Sequence, residues 1–317
     1  MAVQLRPARP HEEVRPVRQP ERVRPARVGE QLLGLALVAP SLAVFAIFIF
    51  WPLVRTFQLS TTGQDLFGRP NRQVGLANFS AVLHDPQFGQ VLEVTAGYVL
   101  LTVIPSILLA LMLALLLQSP LRGLRVLRSA FAMPFAYSVA AASVVFAALF
   151  NPAIGIANYL VTSLGFAPVN WLTRPGTALI SIAITTVWMN VGYNTLVLLA
   201  GVGGVDEQLY EAARLDGAGT FRIARSITVP LITPSLFFLV VVDTIASLQS
   251  FGQIRLLTRG GPTGHTTTLV YWIYHTAFEN GASDYGTGSA QAIVLLVVVI
   301  AITAIQFGVL ERRVFYR

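Results

Sequence analysis

VDEQLYEAARLDGAGTFRIARSITVPLITP, residues 205–234, is the stretch on which the reading of this chain turns. It is charged, and it stands between two long apolar runs. Asp206 is a good N-cap, and Glu207 suits the positive end of a helix. Leu209, Ala212, Ala213 and Leu215 favour helix. Glu211 and Arg214 stand three apart and can pair across one turn. Gly217 and Gly219 then break the helix. Thr220 is placed to cap a second helix that starts at Phe221 and enters the next apolar run. The pattern predicts helix, glycine turn, helix. Pinned at both ends, such an element is stiff enough to pass force from a soluble partner. The plainer reading is an amphipathic connector resting on a bilayer surface.

Outside this stretch the chain is mostly apolar. Of its 317 residues 54% are hydrophobic and 12% are charged, and the mean hydropathy is +0.65. A soluble domain carries about 25% charged residues. The length therefore divides into membrane spans rather than soluble domains. Six runs are long enough to cross a bilayer core: 32–50, 91–117, 126–150, 178–202, 227–248 and 290–310. The first is too long for a signal-peptide core, and no clear small-x-small cleavage site follows Pro52. Trp51 and Arg55 suit the interface beyond it. Pro105 and Pro134 fall inside spans two and three, where kinks are tolerated. The expected fold is an all-α membrane protein of six transmembrane helices, with 205–230 as the loop between spans four and five.

All 22 basic residues are arginine. The net charge of +7 would suit nucleic acid, but the arginines cluster beside apolar runs, as topology signals do. Residues 1–30 hold seven Arg and five Pro. Such a segment buries too little surface to order itself and reads as a disordered tail. It either keeps the N-terminus inside or touches anionic lipid headgroups. With both termini cytoplasmic, sixteen arginines fall in inside segments and six outside. That is the asymmetry the positive-inside rule requires.

Several chemistries are excluded. The chain has no cysteine, so thiol nucleophiles, Cys-based zinc sites and disulfides are absent. Its four histidines, at 11, 84, 265 and 275, show no metal spacing. It has no lysine and no phosphate-binding loop, so it binds no ATP itself and needs no cofactor of its own. No span holds a convincing nucleophile and base, which argues against an intramembrane enzyme. Neither paired intramembrane charges nor a sequence repeat is evident, which argues against an ion-coupled carrier.

Polar residues inside spans are the candidates for a solute pathway. Asp243 lies deep in span five and aligns at helical spacing with Ser247 and Ser250. It either meets solute or bonds a neighbouring span. Asn190 and Asn194 share a face of span four, with Tyr193 beside them. Their amides suit either a polyol or an interhelical bond. The stretch 258–278 is rich in glycine and aromatics, and reads as a docking or capping loop or as an interfacial belt. Trp272 reads as a belt residue.

The loop that opened this section resembles a known motif. Glu211-Ala212-Ala213, then Asp216-Gly217-Ala218, then Ile227 and Pro230, resembles the EAA loop of permeases of ATP-binding-cassette importers. Residues 75–88, 133–158 and 258–278 resemble sugar-type permeases of that family. With the ending QFGVLERRVFYR (306–317), the chain looks most like the permeases of glycerol-3-phosphate and glycerophosphodiester importers. The resemblance implies a permease in the cell membrane that forms half of a translocation pathway. It implies a second homologous permease, two ATP-binding subunits that hold ATP and Mg, and an extracytoplasmic solute-binding protein. It implies that Glu211, Ala212, Ala213, Arg214, Asp216 and Gly217 couple the chain to its ATPase. The implied solute is glycerol-3-phosphate or a diester such as glycerophosphocholine, with a disaccharide as the alternative.

Overall fold

The computed structural model describes residues 28–65, 70–118, 124–279 and 284–311. Most of the Arg/Pro-rich tail, and the basic segments 119–123 and 312–317, lie outside the described residues. The chain divides into two compact units, residues 1–52 and 53–317.

The first unit holds α1 (Val28–Phe45), which starts inside the stretch read as tail. A π-helical segment, Ala46–Phe50, leads into α2 (Trp51–Ser60). The run Leu33–Ser60 is one span by length and hydropathy. It is longer than expected, because Trp51 and Arg55 continue the helix rather than end it. From Leu33 to Trp51 the side chains are exposed.

The second unit takes in most of α2 and then a ribbon that the all-helical expectation missed. Strand β1 (Thr62–Gln64) pairs antiparallel with β2 (Pro70–Gln73), setting Thr62 opposite Gln73. Short α3 (Ala77–Leu83) follows, and its Asn78 amide donates to the carbonyls of Ser60 at 2.9 Å and Thr62 at 3.1 Å. Then comes α4 (Phe88–Leu117), unbroken through Pro105.

Span three is not one straight helix. Helix α5 (Leu124–Ala132) passes into a 3-10 turn at Met133–Ala136, and α6 (Val139–Leu149) leaves at 104° to it. Pro134 sits in that turn, and the Ser138 hydroxyl caps α6 by accepting from Ala141 N at 3.2 Å. Gly192 lies where the bend crosses the next long helix. A Cβ there would meet the carbonyl oxygen of Phe131 at 2.7 Å, so glycine permits this approach.

After α7 (Ile156–Ser163) comes α8 (Pro175–Gly203), which packs along α4. The loop that follows holds α9 (Glu207–Leu215) and α10 (Thr220–Ile223). A π-helical segment and α11 (Val229–Leu231) lead to α12 (Thr233–Leu248), bent 67° from what precedes it. The chain ends through α13 (Gly252–Leu257), α14 (Leu269–Tyr274) and α15 (Tyr285–Leu310). Among the described residues four helices can cross a membrane by length and composition, or up to six if each bent pair is one span.

The core lies among α4, α8 and α12. Leu198, Ile232 and Leu239 are buried against Val103, Ile107 and Ala110. A second cluster joins Val82, Val91, Leu269, Ala290 and Trp272, whose ring lies 6.1 Å from that of Phe88. Trp272 is therefore a core residue and not a belt residue: the apolar faces of α3, α4 and α15 enclose it.

Candidate functional site

The loop between α8 and α12 has the predicted form. The Asp206 carboxylate caps α9, accepting from Gln208 N at 3.0 Å. Gly217 follows at φ +75°, a conformation that needs glycine, and no atom crowds the place of its missing Cβ. Two details differ from expectation. Gly219, not Thr220, is the N-cap of α10, and no side chain caps it. Nor do Glu211 and Arg214 pair; among the described residues the recorded ion pair is Arg255–Glu279 at 2.8 Å. Glu211, Ala212, Arg214, Asp216 and Gly217 are exposed, while Ala213 is half-buried. Glu211 thus keeps its charge free for an outside partner. Leu215 and Phe221 are 90% and 79% exposed, flanking the glycine turn. Sequence reading treated Leu215 as a helix former and Phe221 as a helix start, and missed that both project unpaired. The loop is braced from beneath, where the Thr228 hydroxyl donates to the Tyr210 oxygen at 3.3 Å.

The second candidate region forms a polar spine through the core. Asp243, only 4% exposed, accepts from the Asn194 amide at 2.6 Å, which joins α12 to α8. Ser247 shares a hydrogen bond with Thr102 at 2.9 Å. Ser250, just beyond α12, shares one with the Tyr98 hydroxyl at 3.0 Å and donates to Gln253 at 3.1 Å. Tyr98 also reaches Thr186 at 2.7 Å. Thus Asp243 and Ser247 bond neighbouring helices, and Ser250 bonds both α4 and its own segment. Each such bond in a membrane protein contributes about 0.6 kcal/mol on average. Tyr193 stands apart from the stripe, its ring stacked on Phe135 at 5.2 Å. Asn190 is half-buried. The partners on α4, Tyr98 and Thr102, were not singled out from sequence, yet they stand four residues apart, which places them on one face.

The 258–278 stretch folds into a tight turn followed by an aromatic cluster. Arg259, Gly260, Thr263 and Gly264 all have positive φ. Threonines hold the turn: Thr266 donates to Gly261 O at 2.6 Å and shares a bond of 2.7 Å with Thr258, and Thr267 donates to Gly260 O at 3.0 Å. From α4, the Gln90 amide donates to Thr263 O at 3.2 Å. Arg255 pairs with Glu279 and lies 5.2 Å from the Tyr274 ring centre. Burial, and then the Glu279 carboxylate, raise the Tyr271 hydroxyl above its usual pKa.

The family described as "Binding-protein-dependent transport system inner membrane component" matches residues 97–316, which include the loop and the spine. The chain belongs to this family. It is a permease subunit of an ATP-binding-cassette importer, an inner-membrane protein. The permease is 38% identical over 289 residues to the sn-glycerol-3-phosphate transport system permease protein UgpA of Agrobacterium fabrum, covering 90% of this chain and 97% of that one. It is 36% identical to the protein of the same name from Rhizobium meliloti, with the same coverage. In fold it resembles a chain of a bacterial alginate ABC transporter solved with an alginate pentasaccharide-bound periplasmic protein. The TM-score is 0.78 at 21% identity, covering 90% of this permease and 96% of that chain. Permeases of this kind are not themselves enzymes.

Proposed function

We propose that this permease forms half of the pathway by which glycerol-3-phosphate, or a glycerophosphodiester such as glycerophosphocholine, enters the cell. The observation that carries the solute is the 38% identity, over nearly the full length of both chains, to a permease named for sn-glycerol-3-phosphate. An extracytoplasmic binding protein delivers the solute, and a second homologous permease completes the pathway. Two ATPase subunits hold ATP and Mg and drive the change of access. If each bent pair is one span, the count of six sets both termini on one side, and the arginine asymmetry supports the cytoplasm as that side. Residues 31–317 belong to the transmembrane domain, whose first helix begins at Val28, and the stretch before it is a cytoplasmic tail.

The loop at 205–230 is the coupling element. Glu211 is exposed on α9 and makes a charge-assisted contact with the ATPase. Ala212 and Ala213 allow close approach, Gly217 sets the turn, and Arg214 and Asp216 flank the contact. The test is uptake by vesicles carrying the whole importer. Uptake of labelled glycerol-3-phosphate, dependent on ATP and on the binding protein, is expected. Uptake of a disaccharide alone would refute the solute, and gradient-driven uptake by the lone chain would refute the coupling.

A further inference from the structure

Residues 129–173 carry no charged side chain, although the stretch 151–173 joins α6 to α8 outside both helices. Helix α7 lies in that stretch with its polarity reversed. Asn158 faces inward and is buried. Ile156, Tyr159, Leu160 and Ser163, spaced i, i+3, i+4 and i+7, share the opposite face, and all are exposed. Tyr159 is 72% exposed. Ile154, Leu164 and Phe166, in the turns on either side, are exposed as well. In water a helix turns such a face toward the protein.

Polar groups along this hairpin bond within it. The Asn151 side-chain oxygen accepts from Ala153 N at 2.9 Å and Ile154 N at 3.3 Å. At the far end the N–H groups of Leu164, Gly165 and Phe166 donate to the carbonyls of Leu160, Thr162 and Val161, with Gly165 at φ +85°. The exposed hydroxyls of Thr162 and Ser163 donate back to Asn158 O at 2.8 Å and Tyr159 O at 2.7 Å. The Asn158 amide donates to Pro152 O at 3.0 Å and Val169 O at 3.1 Å, and its oxygen accepts from the Trp171 indole at 2.9 Å. The Ser181 hydroxyl donates to Trp171 O at 3.1 Å, which ties the hairpin to α8. Backbone and hydroxyl groups closed in this way need no water, which is the condition for contact with lipid.

From this reversal we propose that α7 and its flanking turns lie in the membrane interface, apolar face toward lipid, and hold the adjoining ends of α6 and α8 at a fixed depth. The partner is the bilayer itself, met at the boundary of headgroups and acyl chains, about 5–10 Å deep. The hairpin is short and runs between two apolar helices, so it stays at the bilayer surface, and tyrosine suits that level. A soluble docking protein would meet here a face without the polar rim that such interfaces keep. Only the assignment to the outer leaflet rests on the orientation put forward above.

The chain has no native thiol, so a single cysteine can carry a nitroxide label. Leu160→Cys, and Arg72→Cys at an exposed position of the ribbon as the aqueous reference, are each placed in the full importer, in a complex whose other subunits carry no thiol. The complex is set in vesicles of phosphatidylcholine and phosphatidylglycerol. The ratio of oxygen to nickel-chelate accessibility is expected to be at least about five-fold higher at position 160 than at position 72, with or without the binding protein. Equal ratios at the two positions would overturn the proposal. So would a label at 160 shielded from both probes, because a protein subunit then covers the face. If a membrane-impermeant maleimide reaches Arg72→Cys only from the cytoplasmic side, the orientation fails; a high ratio at 160 would still support the lipid contact, so the two failures are told apart.

Discussion

The Asn194 amide lies 2.6 Å from the Asp243 carboxylate, so a single hydrogen bond ties α8 to α12 in the middle of the core. Both residues are buried, and the Asn194 oxygen has no partner of its own. The pair is therefore asymmetric: Asp243 depends on Asn194 more than the reverse. Replacing Asn194 by leucine leaves a buried carboxylate without its donor, at a cost of about 2–3 kcal/mol. Asn194→Leu/Asp243→Leu removes both halves and should regain most of that loss. Thermal inactivation in detergent of the four members of this cycle checks it. If the double variant is as unstable as Asn194→Leu, the bond is not what matters there.

Glu211→Lys should leave folding and membrane insertion unchanged while abolishing uptake. Co-purification of the ATPase subunits with the tagged variant should fall at least ten-fold, a loss of about 1.4 kcal/mol or more in binding. Normal co-purification together with normal uptake would remove Glu211 from the coupling role.

Gly217 has open space around its missing Cβ but sits at φ +75°. Gly217→Ala should therefore cost about 1–2 kcal/mol of turn conformation, with no steric clash. Gly203→Ala, in equally open space without a positive φ, is the control. ATPase stimulation by loaded binding protein should drop for the first variant and hold for the second. Equal behaviour would show that the shape of the turn is not needed.

Two other glycines separate backbone from side-chain contact. A Cβ at 192 meets the carbonyl of Phe131, whereas a Cβ at 201 meets the Ser235 side chain, its hydroxyl at 2.6 Å and its Cβ at 3.2 Å, of which the hydroxyl can rotate away. Gly192→Ala should cost about 1–3 kcal/mol as an overpacked contact, and Gly201→Ala should cost less. Yield of folded protein and melting in detergent would rank them, and the opposite order would show that the 104° bend tolerates displacement.

Much of this architecture was legible in the sequence, because a bilayer demands long apolar runs and short basic loops on one side. The form of the 205–230 loop was legible for a similar reason: Asp206, Gly217 and the alanines between them each have a narrow conformational use. The bend in span three was signalled by Pro134, but its angle is set by packing where Gly192 meets Phe131, which no local pattern encodes. The polar stripe on α12 was found, yet its partners Tyr98 and Thr102 were not. A threonine in an apolar run commonly bonds its own helix, as Thr102 also does to Tyr98 O at 2.8 Å, so its second bond leaves no sequence mark. Trp272 was misplaced because tryptophan is common both at interfaces and in cores, and only α3 and α15 decide between them.

The polar spine also sets how load spreads through the permease. Its bonds are stacked along three helices rather than gathered at one point, so α4, α8 and α12 resist sliding like planks pinned at several heights. The 205–230 loop is attached to this assembly at both ends, leaving from α8 and returning toward α12. A push on α9 would reach α8 directly and α12 only through the glycine turn and the 67° bend, and the stacked bonds would share it among the three helices.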